Sequence, residues 1–221
     1  MKNTTIVLIG SHGAGKTTLG RLLASRLGVT FEHEIGAELR RAQLALDPAQ
    51  HAMRTQEDFD HEVMRREFER DEAHADEAVR VVETWHPGNL AYATRRSPDA
   101  ARAYHARLAE ELAAWRGRVL VQPLAITEQT ALSRLTEPGP DARSLVAFFR
   151  AVGEDAVRCA SELGLTVLSA LATDGSAPDA LADAVLRSIE GRDAIGRRRS
   201  SRVRASRTPG TIAKAPIPRV A

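Results

Sequence analysis

The sequence predicts an α/β fold, a parallel sheet flanked by helices, and three observations predict it. A β-branched run at 4–9 (TTIVLI) enters a glycine-bearing turn, Gly10-Ser11-His12-Gly13-Ala14-Gly15-Lys16-Thr17, and leucines at helical spacing follow it. Strand-like apolar runs then alternate with helical segments along the body. Two of those runs end in acids, Glu32 and Glu34 after one and Glu83 after the other.

Taken in order, the strands read as 4–9, 29–31, 79–84, 119–122 and 166–168. The helices read as 16–27, about 35–46, 56–77, 99–116, 127–135, 143–163 and 178–190. Residues 135–143 (LTEPGPDAR) are rich in Pro, Gly and charge and predict an exposed flexible loop. No internal repeat is present. Ligands of open parallel sheets bind beyond the carboxyl ends of the strands. That rule gathers residues 10–17, 32–36, 83–89 and 122–126 around one crevice.

The turn fits G-x-x-x-x-G-K-[ST] at every specified position. Its glycines let successive backbone N–H groups, from Gly10 through Thr18, face a phosphate chain, and the helix N-terminus adds partial positive charge. The Lys16 ammonium reaches the β- and γ-phosphates, and the Thr17 hydroxyl serves Mg²⁺. The chain has three lysines, Lys2, Lys16 and Lys214, so a lysine inside this loop suits a site that wants a compact ammonium.

At 221 residues and 43% hydrophobic, the chain can bury one sizeable core. Its one cysteine, Cys159, permits no internal disulfide and reads as a small core residue. A reducing, cytoplasmic setting is the expectation. No apolar run approaches the ~18 residues of a membrane span, so no membrane association is expected. The formal charge of +2 hides an asymmetry: residues 191–221 hold nine Arg and Lys against one Asp, leaving −6 for the rest. This basic tail predicts disorder. Contact with nucleic acid is one reading of it and a solvated extension is the plainer one.

The acids at the strand ends carry the candidate chemistry. Glu34 suits a base or acceptor-binding group, or else an acid favoured by a helix start, and Glu32 is the weaker candidate. Glu83 closes an apolar strand level with the glycine turn, where a carboxylate that organises a metal is needed. Trp85 is either a stacking surface for a flat substrate or a packing anchor. Arg134 and Arg143 bracket the 135–143 loop, from which a closing lid brings guanidinium groups onto a transferring phosphoryl. Arg95 and Arg96 follow the Glu83 segment and suit an anionic acceptor, with Arg40 and Asn89 as further acceptor-side candidates. No H-E-x-x-H or G-x-S-x-G pattern occurs, which argues against a zinc protease and a serine hydrolase.

These pieces together resemble the thymidylate kinase-like branch of P-loop kinases, including the deoxynucleoside kinases. Glu83-Thr84-Trp85, followed after four positions by Leu90-Ala91-Tyr92, matches that branch's Asp-Arg-Tyr and Leu-Ala-Tyr. The stretch from Thr127 through Arg134 and Arg143 to Phe148-Phe149-Arg150 looks like its lid and following helix. The resemblance implies a P-loop NTPase fold with a five-stranded parallel sheet, a lid at about 134–144, ATP, Mg²⁺ and a small-molecule phosphate acceptor. It covers most of residues 4–190, giving a kinase domain at 1–190 and a tail at 191–221; a homodimer is compatible with it. Two departures stand out. The branch's Asp-Arg is Glu83-Thr84 here, and its Arg-Glu-Pro element is echoed only by His33-Glu34-Ile35. Kinases of other hydroxyl compounds, and a regulatory ATPase that uses the tail, are the alternatives. The lack of Asn-Lys-x-Asp argues against a GTPase.

Overall fold

The computed structural model describes residues 4–47, 53, 55–115, 117–135 and 141–205. The chain divides into two units, Met1–Val185 and Leu186–Ala221. Within the first, strand β1 (Thr4–Gly10) is apolar on both faces, and Ile6, Val7, Leu8 and Ile9 are all buried. A strand of that composition belongs at the centre of a sheet covered on both sides. It pairs in parallel with β3 (Val79–Glu83) on one side and β4 (Val119–Ala125) on the other. Strands β2 (Phe31–Glu32) and β5 (Thr166–Val167) flank these, giving the order β2-β3-β1-β4-β5. A two-residue strand unread from the sequence, β6 (Leu171–Ala172), pairs with the end of β4, so the described sheet has six strands rather than five. The register sets Leu8 opposite both Glu83 and Gln122, which brings the ends of β3 and β4 beside the turn that follows β1.

Helix α1 (Lys16–Leu27) ends at Gly28, whose φ of 67° is the left-handed conformation that closes a helix. Helix α2 (Ile35–Leu44) is followed by α3 (Gln56–Ala73), where Thr55 and Asp58 exchange hydrogen bonds as a capping box. Helix α4 (Trp85–Arg96) lies in a stretch to which the sequence reading assigns no helix. Pro87 and Gly88 hide it, but a proline in the first helical turn removes only an N–H that has no helical partner. Helices α5 (Pro98–Trp115), α6 (Glu128–Ser133) and α7 (Ala142–Glu162) follow. Helix α8 (Pro178–Ala205) runs beyond the 190 expected, and its first two turns are tied to α1 by Arg26 with Asp179 and Asp183, both at 2.5 Å. The lid centre at 136–140 and residues 206–221 of the tail lie outside the described residues. No described helix is long and apolar enough to cross a membrane.

One buried polar network ties β2, α3, β3 and α4 together. Arg80 grips Glu32 with two hydrogen bonds of 2.8 and 2.7 Å and gives a third, 2.8 Å, to Asp71. Asp71 also meets the Trp85 indole at 3.1 Å and His86 at 2.8 Å, and His86 meets the Tyr104 hydroxyl at 2.7 Å. Burial pushes the Asp71 carboxyl up, but His86 and Arg80 outweigh it and hold it below the ordinary 3.8. Breaking such a network on one side strands charge in the core. Asp71→Asn is therefore expected to lose about 3–5 kcal/mol at neutral pH. Because the folded carboxyl titrates below the unfolded one, Asp71 stabilises above about pH 4 and that contribution fades as pH falls. Urea unfolding of both proteins from pH 7 to pH 3 should show the gap narrowing.

Candidate active site

The turn after β1 is built for anions. Gly10, Gly13 and Gly15 have φ of 147°, 77° and 84°, values that side chains resist. Lys16 is buried, and its Nζ donates to the carbonyls of Gly10 and Ser11, both at 3.2 Å. Those bonds hold the ammonium inside the loop, where a phosphate chain would meet it. Thr17 donates its hydroxyl to both oxygens of Glu83, at 3.0 and 2.9 Å. A hydroxyl and a carboxylate converging beside a phosphate loop are the donor set that suits Mg²⁺, directly or through water. Burial first, then the neighbouring Glu34, pushes the Glu83 carboxyl above its ordinary value, while Lys16 and the Thr17 hydroxyl oppose them. A divalent cation placed there would favour the ionised form.

A cleft of about 740 Å³ opens on this loop, lined by Gly13 to Thr18, Glu34, Glu83 and Arg134 among others. Arg134 donates to the Gly13 carbonyl at 2.7 Å, so its guanidinium already stands at the loop. A second, smaller pocket of about 280 Å³ lies against α2, α3 and α4 and shares His12 and Glu34 with the first. His12 rests against Phe149 of α7, ring centres 5.0 Å apart. Burial and then Lys16 hold its imidazole below 6.5, so it is mainly neutral at pH 7.

The two carboxylates are kept apart by separate hydroxyls. Thr17 serves Glu83, and Thr84 donates to Glu34 at 2.8 Å. Thr84 does so from a strained backbone, φ 70° and ψ −60°, and Trp85 beside it has φ 48°. Strain of that kind persists only when the surroundings enforce it. Here Trp85 is buried and bonded to Asp71, and Gly88 leaves the room that the Thr84 methyl occupies.

Of the residues singled out in the sequence, Gly13 to Thr18, Glu34, Glu83 and Arg134 line the first cleft, and His12 lines both. Arg40, Asn89 and Arg96 line the smaller pocket, while Ser11 faces a crevice beside Ile126 and Phe149. Two expectations are corrected, the stacking reading of Trp85 and the acceptor-binding reading of Arg95. Trp85, 1% exposed, presents no face to a substrate; it is an anchor in the core. Arg95 is spent on Asp155 of α7 at 2.6 Å. Arg143 is exposed in the first turn of α7 and lines neither cleft. Glu32 is occupied by Arg80, which also argues against a cation among Glu32, His74 and Glu77. Sequence reasoning missed Thr84, Arg21 and Arg41; the last two line the larger cleft, and among so many arginines no signal singled them out.

The family described as AAA domain matches residues 5–138. No curated protein sequence matches the chain. Among solved structures, thymidylate kinase from Candida albicans superposes with a TM-score of 0.56 at 13% identity, over 87% of this chain and 93% of that one. Shikimate kinase from Acinetobacter baumannii, in complex with shikimate, gives 0.51 at 19% identity, over 86% and 94%. Deoxyadenosine kinase from M. mycoides, with bound dATP, gives 0.52 at 9%, over 85% and all of that chain. At these identities the likeness is one of fold, and the fold is the α/β P-loop arrangement that the sequence predicts.

The tightness of the loop against α7 is testable. A Cβ on Gly153 would stand 2.9 Å from the Ser11 amide nitrogen and 3.2 Å from the Gly10 carbonyl carbon. Gly153→Ala must therefore displace the loop. Nucleotide affinity, read by calorimetry, should fall by ~10-fold or more, as a misplaced donor set predicts.

Proposed function

The chain belongs to the AAA domain family, and from that premise we propose that it is an ATP- and Mg²⁺-dependent kinase of a nucleoside, nucleotide or related small molecule. One observation carries the reading: a phosphate-loop cleft and a second pocket adjoin, with His12, Glu34 and Ala37 in both linings. A donor in one and an acceptor in the other meet at that junction. A regulatory ATPase has no need of the second pocket. The substitution of Thr84 for an arginine favours an acceptor other than thymidylate, including other small hydroxyl compounds.

ATP, when bound, supplies the γ-phosphoryl group. Lys16 and the loop amides hold and orient its phosphates, and Thr17 with Glu83 would hold Mg²⁺. Glu34, fixed by the Thr84 hydroxyl, is placed to accept a proton from an acceptor hydroxyl. Arg134 sets positive charge at the rim of the loop. Such catalysis is mostly positioning and electrostatics. Residues 1–190 carry this chemistry in the reading proposed, with the basic tail outside it.

Lys16→Ala should lower phosphoryl transfer by at least ~10²-fold through loss of a positioned charge. Coupled ADP release together with detection of phosphorylated product over a panel of nucleosides, nucleotides and small alcohols measures it. Near-normal turnover in the folded variant would remove the loop from the active site. Arg134→Ala should lower kcat by ~10–10³-fold while changing ATP affinity less, since its charge matters most in the transition state. Phosphate release without any acceptor, stimulated by nucleic acid and lost with the tail, would instead support a regulatory ATPase.

A further inference from the structure

The smaller pocket is cationic at one end. Arg40 and Arg96 both lie over the ring of Phe59, their guanidinium carbons 4.3 and 5.7 Å from its centre. Two like charges on one ring repel each other, and the ring's negative face offsets that only in part. Arg96 has Asp60 as its counter-charge, but Asp60 is also claimed by the Ser97 hydroxyl at 2.8 Å. The Arg96 Nε is buried with no hydrogen-bond partner. Among the described residues, Arg40 donates to the neutral side-chain oxygens of Gln43 and Gln56, at the long distances of 3.3 and 3.4 Å. Among the described lining residues there is one carboxylate, Glu34, on the wall shared with the phosphate-loop cleft. Two guanidinium groups on one wall of a pocket, with a single carboxylate on the opposite wall among the described lining residues, call for an anion.

We propose that this pocket selects an acceptor bearing an anionic group, a carboxylate or a phosphate monoester, which Arg40 and Arg96 grip while one of its hydroxyls faces Glu34. This rests on the kinase reading and narrows it. The anion is the anchor and the hydroxyl is the accepting atom. The hydroxyl oxygen bonds to the γ-phosphorus, the bond from that phosphorus to the β-phosphate oxygen breaks, and the hydroxyl proton passes to the Glu34 carboxylate. The products are a phosphate ester and ADP. Phe59, Tyr92 and Phe149 supply apolar walls for the body of the acceptor. A neutral hydroxyl compound of the same shape gives the two guanidinium groups no counter-charge and binds more weakly.

The full chain, with Mg²⁺ and AMP-PNP filling the phosphate loop, is titrated calorimetrically with matched probes. Shikimate against its methyl ester tests a carboxylate; a deoxynucleoside 5′-monophosphate against the deoxynucleoside tests a phosphate; inorganic phosphate tests the anion alone. In at least one pair the anionic member should bind ~10-fold tighter or more, the usual worth of a charge-assisted contact. Arg40→Gln should erase that preference and leave AMP-PNP affinity unchanged. Arg96→Lys, which keeps a charge opposite Asp60 and removes the planar guanidinium fork, should weaken the same probe by ~10-fold. Equal binding within both pairs, no binding by any anionic probe, or a preference that survives Arg40→Gln overturns the proposal. If neutral alcohols are phosphorylated as fast as anionic ones, the anion proposal falls and the kinase reading stands. If AMP-PNP itself does not bind, both fall.

Discussion

The hydrogen bond from the buried Trp85 indole to Asp71 is the contact from which the turn that positions Glu34 is hung. It fixes a turn in which two successive residues other than glycine have positive φ. Each costs on the order of 1–3 kcal/mol, which an unanchored loop would shed by relaxing. Trp85 cannot relax, because its ring is enclosed by Trp115, His86 and the surrounding apolar side chains and its N–H has found a partner. Asp71 is itself held by Arg80 and His86. Rigidity thus passes from a buried ion network into a two-residue turn. The turn ends β3 at Glu83, begins α4 and aims the Thr84 hydroxyl at Glu34.

Two carboxylates close to one ammonium would otherwise compete for it. Glu34 raises the Glu83 carboxyl and Lys16 lowers it, so the three groups are coupled. The chain separates them by giving each acid its own hydroxyl donor, Thr17 on α1 and Thr84 at the end of β3. A hydroxyl carries no charge of its own, so it fixes the direction of a carboxylate without forming an ion pair with it. That is the requirement for two acids with different tasks, one beside a metal and one beside a proton.

The sheet and the phosphate loop were legible because both rest on local rules. Apolar β-branched runs mark β1, β3 and β4, and G-x-x-x-x-G-K-T needs only a strand before it and a helix after it. α1 was read to its observed ends because Gly28 closes it and the glycine turn opens it. The unread parts depend on partners distant in the chain. α4 was hidden by Pro87 and Gly88, whose tolerance in a first turn is visible only once Thr84 is known to need the space over Gly88. β6 is two residues long and exists because β4 continues past the end expected of it, to Ala125. Trp85 was read as either a stacking surface or an anchor, and only Asp71, fourteen positions away, decides for the anchor. The arginines were least legible. Arg95 and Arg96 are neighbours in sequence, yet one is paired with Asp155 on α7 and the other lines the smaller pocket beside Phe59. Successive helical positions point about 100° apart, so adjacent residues seldom share a face.

The threonine at position 84 changes where positive charge can act on an acceptor. An arginine there would project from the end of β3, beside Glu83 and the phosphate loop, and would serve an acceptor whose own phosphate takes the transferred group. Thr84 carries no charge and is committed to Glu34. Under the anionic-acceptor proposal the cations stand instead on α2 and at the end of α4, where Arg40 and Arg96 share Phe59. Moving the cation away from the loop reverses the sense in which an acceptor lies. Its charged end is drawn to the far side of the pocket and an uncharged hydroxyl is left at Glu34. A hydroxyl requires a base where a phosphate acceptor does not, because a phosphate at neutral pH already presents an ionised oxygen. Under that proposal, a threonine in place of the arginine and a Glu34 carboxylate oriented by that threonine are two consequences of one change in acceptor chemistry.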